Sequence, residues 1–123
     1  MTGVTWNDSS PIYRQLKERV VAMMLDGVLK PGDPLPSVRQ VAADYQLNPI
    51  TVSRAYQELA DEQLVEKRRG LGMFVNAGAR EQLLASERER FLKEEWPLVC
   101  ERIQRLGLDA ARLLSAIQSE EPR

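Results

Sequence analysis

Histidine is absent from the 123-residue sequence, and cysteine occurs once, at Cys100. Without histidine the chain lacks the side chain that ordinarily moves protons near neutral pH. A single cysteine permits no intrachain disulfide framework. Together the two shortages argue against a zinc site of the usual ligands, and no metal is expected. Long apolar runs are missing too: nothing approaches the roughly 18 residues of a membrane span, so no membrane partner is expected. The first residues form no charged-then-apolar leader, and the cytoplasm is the expected compartment. No glycine-rich phosphate loop occurs, because Lys30-Pro-Gly-Asp33 is a turn of the wrong spacing. Cys100 has no histidine to activate it and lies beside an apolar seam, so a buried structural thiol is expected there. These absences leave no catalytic constellation and no cofactor site, and the chain is not expected to be an enzyme. An excess of positive charge is also lacking. The net charge is −1, and residues 1–76 hold nine Lys/Arg against nine Asp/Glu. Composition therefore neither supports nor excludes a polyanionic partner, and only the placement of charge can decide.

The length suits one domain plus an accessory element. There are no internal repeats and no low-complexity tract. Residues 1–9 are polar and read as loose at the start. Ser10 followed by Pro11 has the form of an N-cap and first helical position. Ile12, Leu16, Val20, Met23 and Met24 then make a helical stripe that Gly27 ends. The prolines and glycine of residues 31–34 make a turn. Ser37 and Gln40 fit a capping box for a second helix, with Val38, Val41, Ala42 and Tyr45 inward. Only Gln46 and Leu47 separate it from the next start, where Asn48 can cap and Pro49 can sit first. The third helix runs to about Glu62. Two short helices on so tight a connection fit a helix-turn-helix or a plain helical hairpin, and spacing alone leaves both open.

The segment after the third helix favours the helix-turn-helix. Leu64–Arg68 and Gly72–Val75 read as strands, with Arg69-Gly-Leu71 between them. A hairpin directly after a helix-turn-helix makes a winged helix. Lys67, Arg68, Arg69 and Gly70 crowd its tip. Such a cluster is often only solvated surface, but beside a recognition helix it fits contact with phosphate or a minor groove.

The third helix itself has two faces. Val52, Ala55, Tyr56 and Leu59 share one side at core spacing. Ile50, Arg54 and Gln57 fall nearly opposite, with Ser53 beside them. An outward isoleucine among polar residues near a helix start suits a surface that meets the DNA major groove. Arg54 is placed to hydrogen-bond a guanine edge, and Ile50 to touch a thymine methyl. Asn48, Thr51 and Ser53 offer short polar groups for phosphate. Gln57 lies deeper and reaches a base or a phosphate. Arg39, opposite the inner stripe of the second helix, reaches backbone or base from the groove edge; the plainer reading for it is a surface ion pair.

From residue 77 the pattern is helical and rich in charge. Leu92, Trp96, Val99, Ile103 and Leu106 follow alternating four- and three-residue steps, the spacing of a helix–helix seam. Pro97 falls inside it and either kinks one helix or begins another. Gly107 fits a helix end and Asp109 a fresh cap, and a closing helix turns Leu113, Leu114 and Ile117 inward. The expected junction is residues 76–80. The architecture is mainly α with a small β-hairpin: a winged helix-turn-helix over 1–76 and a short helical tail over 77–123.

The run from Ser10 to Val75 resembles the winged-helix domain of the GntR family of bacterial transcription regulators. The matching segments are SPIYRQLKERV, GVLKPGDPLPSVRQVAADYQLNPITVSRAYQEL and RRGLGMFV. The short tail is similar to the YtrA branch of that family. The resemblance implies a DNA-binding regulator whose tail dimerises it. It further implies repression of an operon, commonly the protein's own, that includes ABC-transporter genes. It places DNA contacts at Arg39, at Asn48, Pro49, Thr51, Ser53 and Arg54, and at Arg69 and Gly70. Two positions depart from the family pattern. Met73 replaces a threonine on the return strand, and Gln63 replaces a glycine after the third helix. Gln63 must therefore adopt a helix-ending geometry that glycine takes more cheaply.

The reading is a homodimer, held by the tail residues Leu92, Trp96, Val99, Ile103, Leu106, Leu113, Leu114 and Ile117, on roughly palindromic double-stranded DNA. The alternative is a winged helix that docks on protein, with Ile50 in an apolar patch. The spacing is compatible with a small-molecule effector between protomers, near Trp96 or Trp6, and does not require one.

Overall fold

The computed structural model describes residues 6–119. The elements are α1 (Ile12–Leu25), α2 (Val38–Tyr45), α3 (Pro49–Asp61), β1 (Val65–Arg68), β2 (Gly72–Val75), α4 (Ala79–Arg90), α5 (Trp96–Arg105) and α6 (Ala110–Ser119). A π-helical turn, Phe91–Glu95, precedes α5. The chain forms two compact units, the first ending at Leu84 and the second beginning at Ala85. Among the described residues no helix is long and apolar enough to cross a membrane.

In the first unit, α1 turns Leu16, Val20 and Met24 into the core. Its start corrects the sequence reading. Pro11, not Ser10, is the N-cap residue, and no side chain caps the helix. The Pro11 carbonyl accepts from the N–H groups of Arg14 and Gln15 at 3.1 and 3.2 Å. The Gln15 amide donates to the carbonyls of Asn7 and Ser10 at 2.8 and 2.7 Å. Trp6 meets Tyr45 edge-on at 5.8 Å between ring centroids. Trp6 and Asn7 are thus tied down, because Gln15 and Tyr45 supply partners that the local sequence does not reveal. Residues 1–5 of that reading lie outside the described residues. At the other end Gly27 takes φ +80°. The Val28 N–H then returns to the Met23 carbonyl at 2.9 Å, closing the helix in the usual glycine-dependent way.

The second helix starts as the sequence indicates: Ser37 Oγ accepts from the Gln40 N–H at 3.0 Å. The reciprocal half of the capping box is not formed, since the Gln40 amide turns to Asp44 at 3.4 Å. Gln46 leaves α2 in the left-handed region, φ 55°, and the Leu47 N–H bonds the Ala42 carbonyl at 2.9 Å. Asn48 Oδ1 then accepts from the Ile50 N–H at 2.9 Å and opens α3. Val52, Ala55 and Leu59 have no exposed surface and Tyr56 has 3%. Burying a side chain the size of Val52 or Leu59 is worth about 1.5–3 kcal/mol. That stripe therefore fixes how α3 sits and leaves its other side outward.

Gln63 follows the third helix at φ 63°, the costly geometry that the family resemblance implies for this position. Its carbonyl accepts from the Asn76 amide at 2.7 Å. The strands β1 and β2 pair antiparallel, with Val65 opposite Val75 and Arg68 opposite Gly72. Pairing starts at Val65, one residue later than expected. A third edge joins them that the sequence did not indicate. Pro34 bridges Phe74, the Leu35 N–H donates to the Met73 carbonyl at 2.8 Å, and the Val75 N–H donates to the Asp33 carbonyl at 2.8 Å. The turn after α1 thus anchors the wing. Leu35, Val41, Leu64, Val65 and Val75 complete the core. Ala79 and Leu83 of α4 also reach it, and the Gln82 amide donates to the Glu62 carbonyl at 3.0 Å. The first unit accordingly runs past the small residues at 76–80.

In the second unit the backbone stays helical through Pro97, with a π turn rather than a break before it. The Trp96 N–H reaches back five residues to the Phe91 carbonyl. A widened turn of this kind is a recognised way to absorb irregularity in a helix. Gly107 follows α5 at φ +66°, and Asp109 Oδ1 accepts from the Ala111 N–H at 2.9 Å, both as the sequence indicates. Neither α5 nor α6 contains a fully buried residue. Cys100 is a free thiol and only half-buried, which corrects the expected burial: two helices alone enclose no interior.

Candidate nucleic-acid interface

The α3 surface that faces away from the core presents Asn48, Pro49, Ile50, Ser53, Arg54 and Gln57, all exposed. Ile50 has 76% of its surface in solvent. Thr51 is half-buried at the edge of this face. Asn48 spends its side-chain oxygen on the cap, so its NH₂ group is what remains for a partner. Gln57 Nε2 donates to Asp61 Oδ1 at 2.9 Å, which draws its amide down the helix. Arg39 is exposed in the first turn of α2.

Arg54 is not simply extended into water. Its guanidinium carbon lies 3.9 Å from the centroid of the Tyr13 ring. Tyr13, in the first turn of α1, belongs to this surface as well. The SPIY segment held the signal, but no periodicity links the start of α1 to the middle of α3.

The wing stands beside α3. A groove of about 220 Å³ is lined by Val38, Ser53, Tyr56, Gln57, Lys67 and Met73. It brings Ser53 and Gln57 of α3 together with Lys67 of β1. The three wing cations are not equivalent. Arg68 is held by Glu66, with Nε and Nη2 at 3.1 and 2.9 Å from Oε1, and it packs over the Phe74 ring at 4.2 Å. Lys67 and Arg69 are exposed and make no ion pair among the described residues. Gly70 turns the tip at φ +77°, and nothing lies near where a side chain would stand. The glycine therefore answers to backbone geometry and leaves the tip open to close approach.

Two further contacts hold the frame. Tyr56 Oη donates to the Pro36 carbonyl at 2.6 Å. Burial of the phenol, with a smaller contribution from Tyr45, pushes its pKa up to about 12. Lys17 on α1 pairs with Glu58 of α3 at 3.4 Å and with Glu62, the residue just past the end of α3. Burial opposes its charge, but the two carboxylates outweigh that and raise its pKa.

The second unit has its own apolar groove, about 420 Å³, lined by Trp96, Val99, Ile103, Leu113, Leu114 and Ile117. Six of the eight expected pairing residues meet there. Leu92, in the π turn, and Leu106, at the end of α5, are exposed and lie outside it.

Three helices, an exposed polar face on the third, and a hairpin with a cationic tip define a winged helix-turn-helix DNA-binding protein. Residues 12–75 match the family described as bacterial regulatory proteins, gntR family. The chain is 36% identical over 110 residues to the HTH-type transcriptional repressor YtrA of Bacillus subtilis, covering 89% of this chain and 78% of that protein. It is 31% identical to the uncharacterized HTH-type transcriptional regulator YhcF of the same organism, over 93% of each. A solved GntR family transcriptional regulator from Listeria monocytogenes superposes with a TM-score of 0.72 at 26% identity, over 94% of this chain and 100% of that one. The chain belongs to the GntR family, a class of regulators that bind DNA and are not enzymes.

Proposed function

We propose that the chain is a homodimeric transcription repressor that reads a roughly palindromic operator with two copies of α3. The observation that carries this reading is the division of α3 into a fully buried stripe and an exposed face where Ile50 stands among Ser53, Arg54 and Gln57. In this reading Arg54 bonds a guanine edge and Ile50 packs on a thymine methyl. Asn48, Pro49, Thr51 and Ser53 seat the helix start against phosphate, where the macrodipole helps. Arg39 contacts the groove edge, and Gln57 adds a base or backbone bond. Lys67, Arg68, Arg69 and Gly70 take the neighbouring minor groove or its phosphates.

One domain offers few cations, so it binds weakly at cellular salt. Pairing through the second unit raises affinity by effective concentration. An apolar groove that two helices leave uncovered supports that role for Trp96, Val99, Ile103, Leu113, Leu114 and Ile117, with Leu92 and Leu106 extending the seam. The reading extends to regulation of the protein's own operon together with transporter genes, as the YtrA-like tail implies. Fluorescence-anisotropy titration of the full chain against duplexes tiling its own upstream region tests it. Tight binding to one duplex carrying an inverted repeat, at two protomers per site, is the expected result. Equal binding to all of them would refute operator recognition.

A further inference from the structure

Arg54 and Tyr13 stand on different helices of the first unit, and their contact has a definite geometry. The guanidinium carbon is 3.9 Å from the Tyr13 ring centroid. The ring is half-buried and packs against the core, so it is a fixed platform. Arg54 is exposed and has no carboxylate partner among the described residues. An arginine in such a place usually samples many rotamers, and ordering it on binding costs free energy. The Arg54 guanidinium makes no hydrogen bond among the described residues, and an aromatic face attracts the cation without using its N–H groups as hydrogen-bond donors. Those N–H groups are what a guanine O6/N7 edge accepts.

We propose that Tyr13 is a positioning residue for base reading: its ring holds the Arg54 side chain in place and leaves the guanidinium edge for guanine. This rests on the reading of Arg54 as a base contact. Tyr13 then contributes to sequence discrimination without itself touching a base. The contribution comes from the π face, not the hydroxyl, and it vanishes when Arg54 is absent.

The test is a double-mutant cycle on the full chain. The probe is the duplex that the wild-type protein selects from a randomised pool, compared with single-base variants of that duplex. Tyr13→Phe keeps the face and should bind as wild type does. Tyr13→Leu should weaken the selected duplex about 2- to 5-fold per half-site. It should also lower discrimination at the same base pair that Arg54→Ala affects, and leave the other positions unchanged. In an Arg54→Ala background Tyr13→Leu should have no further effect. A merely structural tyrosine would shift all duplexes alike and would do so in both backgrounds, and that outcome overturns the inference while leaving Arg54 as a reader. If Tyr13→Leu changes nothing in either background, the inference also fails. If Arg54→Ala alone leaves selection untouched, the base-contact reading fails first and the inference falls with it. Thermal melting of each variant separates loss of fold from loss of positioning.

Discussion

Tyr56 Oη donates to the carbonyl of Pro36 at 2.6 Å, and so joins the middle of α3 to the residue just before the α2 cap. Both helices of the helix-turn-helix are held by this one bond as well as by apolar packing. Because the phenol is pushed up to about 12 from 10.0, the neutral form is favoured in the fold. Because burial of the phenol disfavours the phenolate, stability is unaffected by this group below pH 10 and falls as pH rises towards 12. The amount is on the order of 2–3 kcal/mol. Lys17, whose pKa is also raised, acts in the same alkaline direction, so the two must be separated by mutation. Tyr56→Phe should cost about 1 kcal/mol at neutral pH. It should also remove part of the alkaline loss that wild type shows in urea unfolding between pH 9 and 12, a window set by the Tyr56 and Lys17 shifts.

Gln63 holds φ 63°, where a side chain is strained by about 1–2 kcal/mol relative to glycine. Glycine loses more conformational entropy on folding, which offsets part of this. Gln63→Gly should therefore stabilise the first unit by roughly 0.5–1 kcal/mol. A higher urea midpoint at unchanged slope is the expected signature. A lower midpoint would mean the glutamine side chain contributes more than its backbone costs.

On the wing, Arg68 is already engaged by Glu66 and Phe74, whereas Lys67 and Arg69 have no ion-pair partner among the described residues. Replacing Lys67 or Arg69 with alanine should weaken binding to all duplexes alike and reduce the salt slope by about one each. Arg68→Ala should reduce it less, and Glu66→Gln should strengthen binding modestly by releasing Arg68. Titrations at several salt concentrations check the ranking.

In the second unit, Val99→Asp and Ile103→Asp place charge in the groove they line. Both should give monomers by sedimentation velocity, with the helices retained by circular dichroism and DNA affinity reduced at least tenfold. Dimers that survive both substitutions would place the pairing surface elsewhere.

How much was legible in the sequence depends on the range of the interaction. Ser37 and Asn48 were legible as caps because each bonds an N–H two or three residues away. The α3 stripe was legible because four residues repeat at helical spacing, and the strained Gln63 because the resemblance to the GntR family places a glycine there. Most of the misses are contacts between distant segments. Nothing local distinguishes Ser10, which does not cap, from Ser37, which does. The addition of residues 32–35 to the edge of β2, the Arg54 stack on Tyr13, and the burial of Ala79 and Leu83 all need the fold before they can be seen. Neither the π turn before Pro97 nor the pairing of Arg68 with Glu66 can be deduced from charge or propensity alone.

The most direct measurement is equilibrium binding of the paired protein, wild type and Arg54→Ala, to its selected duplex and to a scrambled duplex of equal length. Wild type should prefer the selected duplex, and the preference should shrink by about 1–3 kcal/mol per half-site when Arg54 is lost. A demonstrably dimeric wild type that treats the two duplexes alike at low salt would contradict the assignment of α3 as the reader.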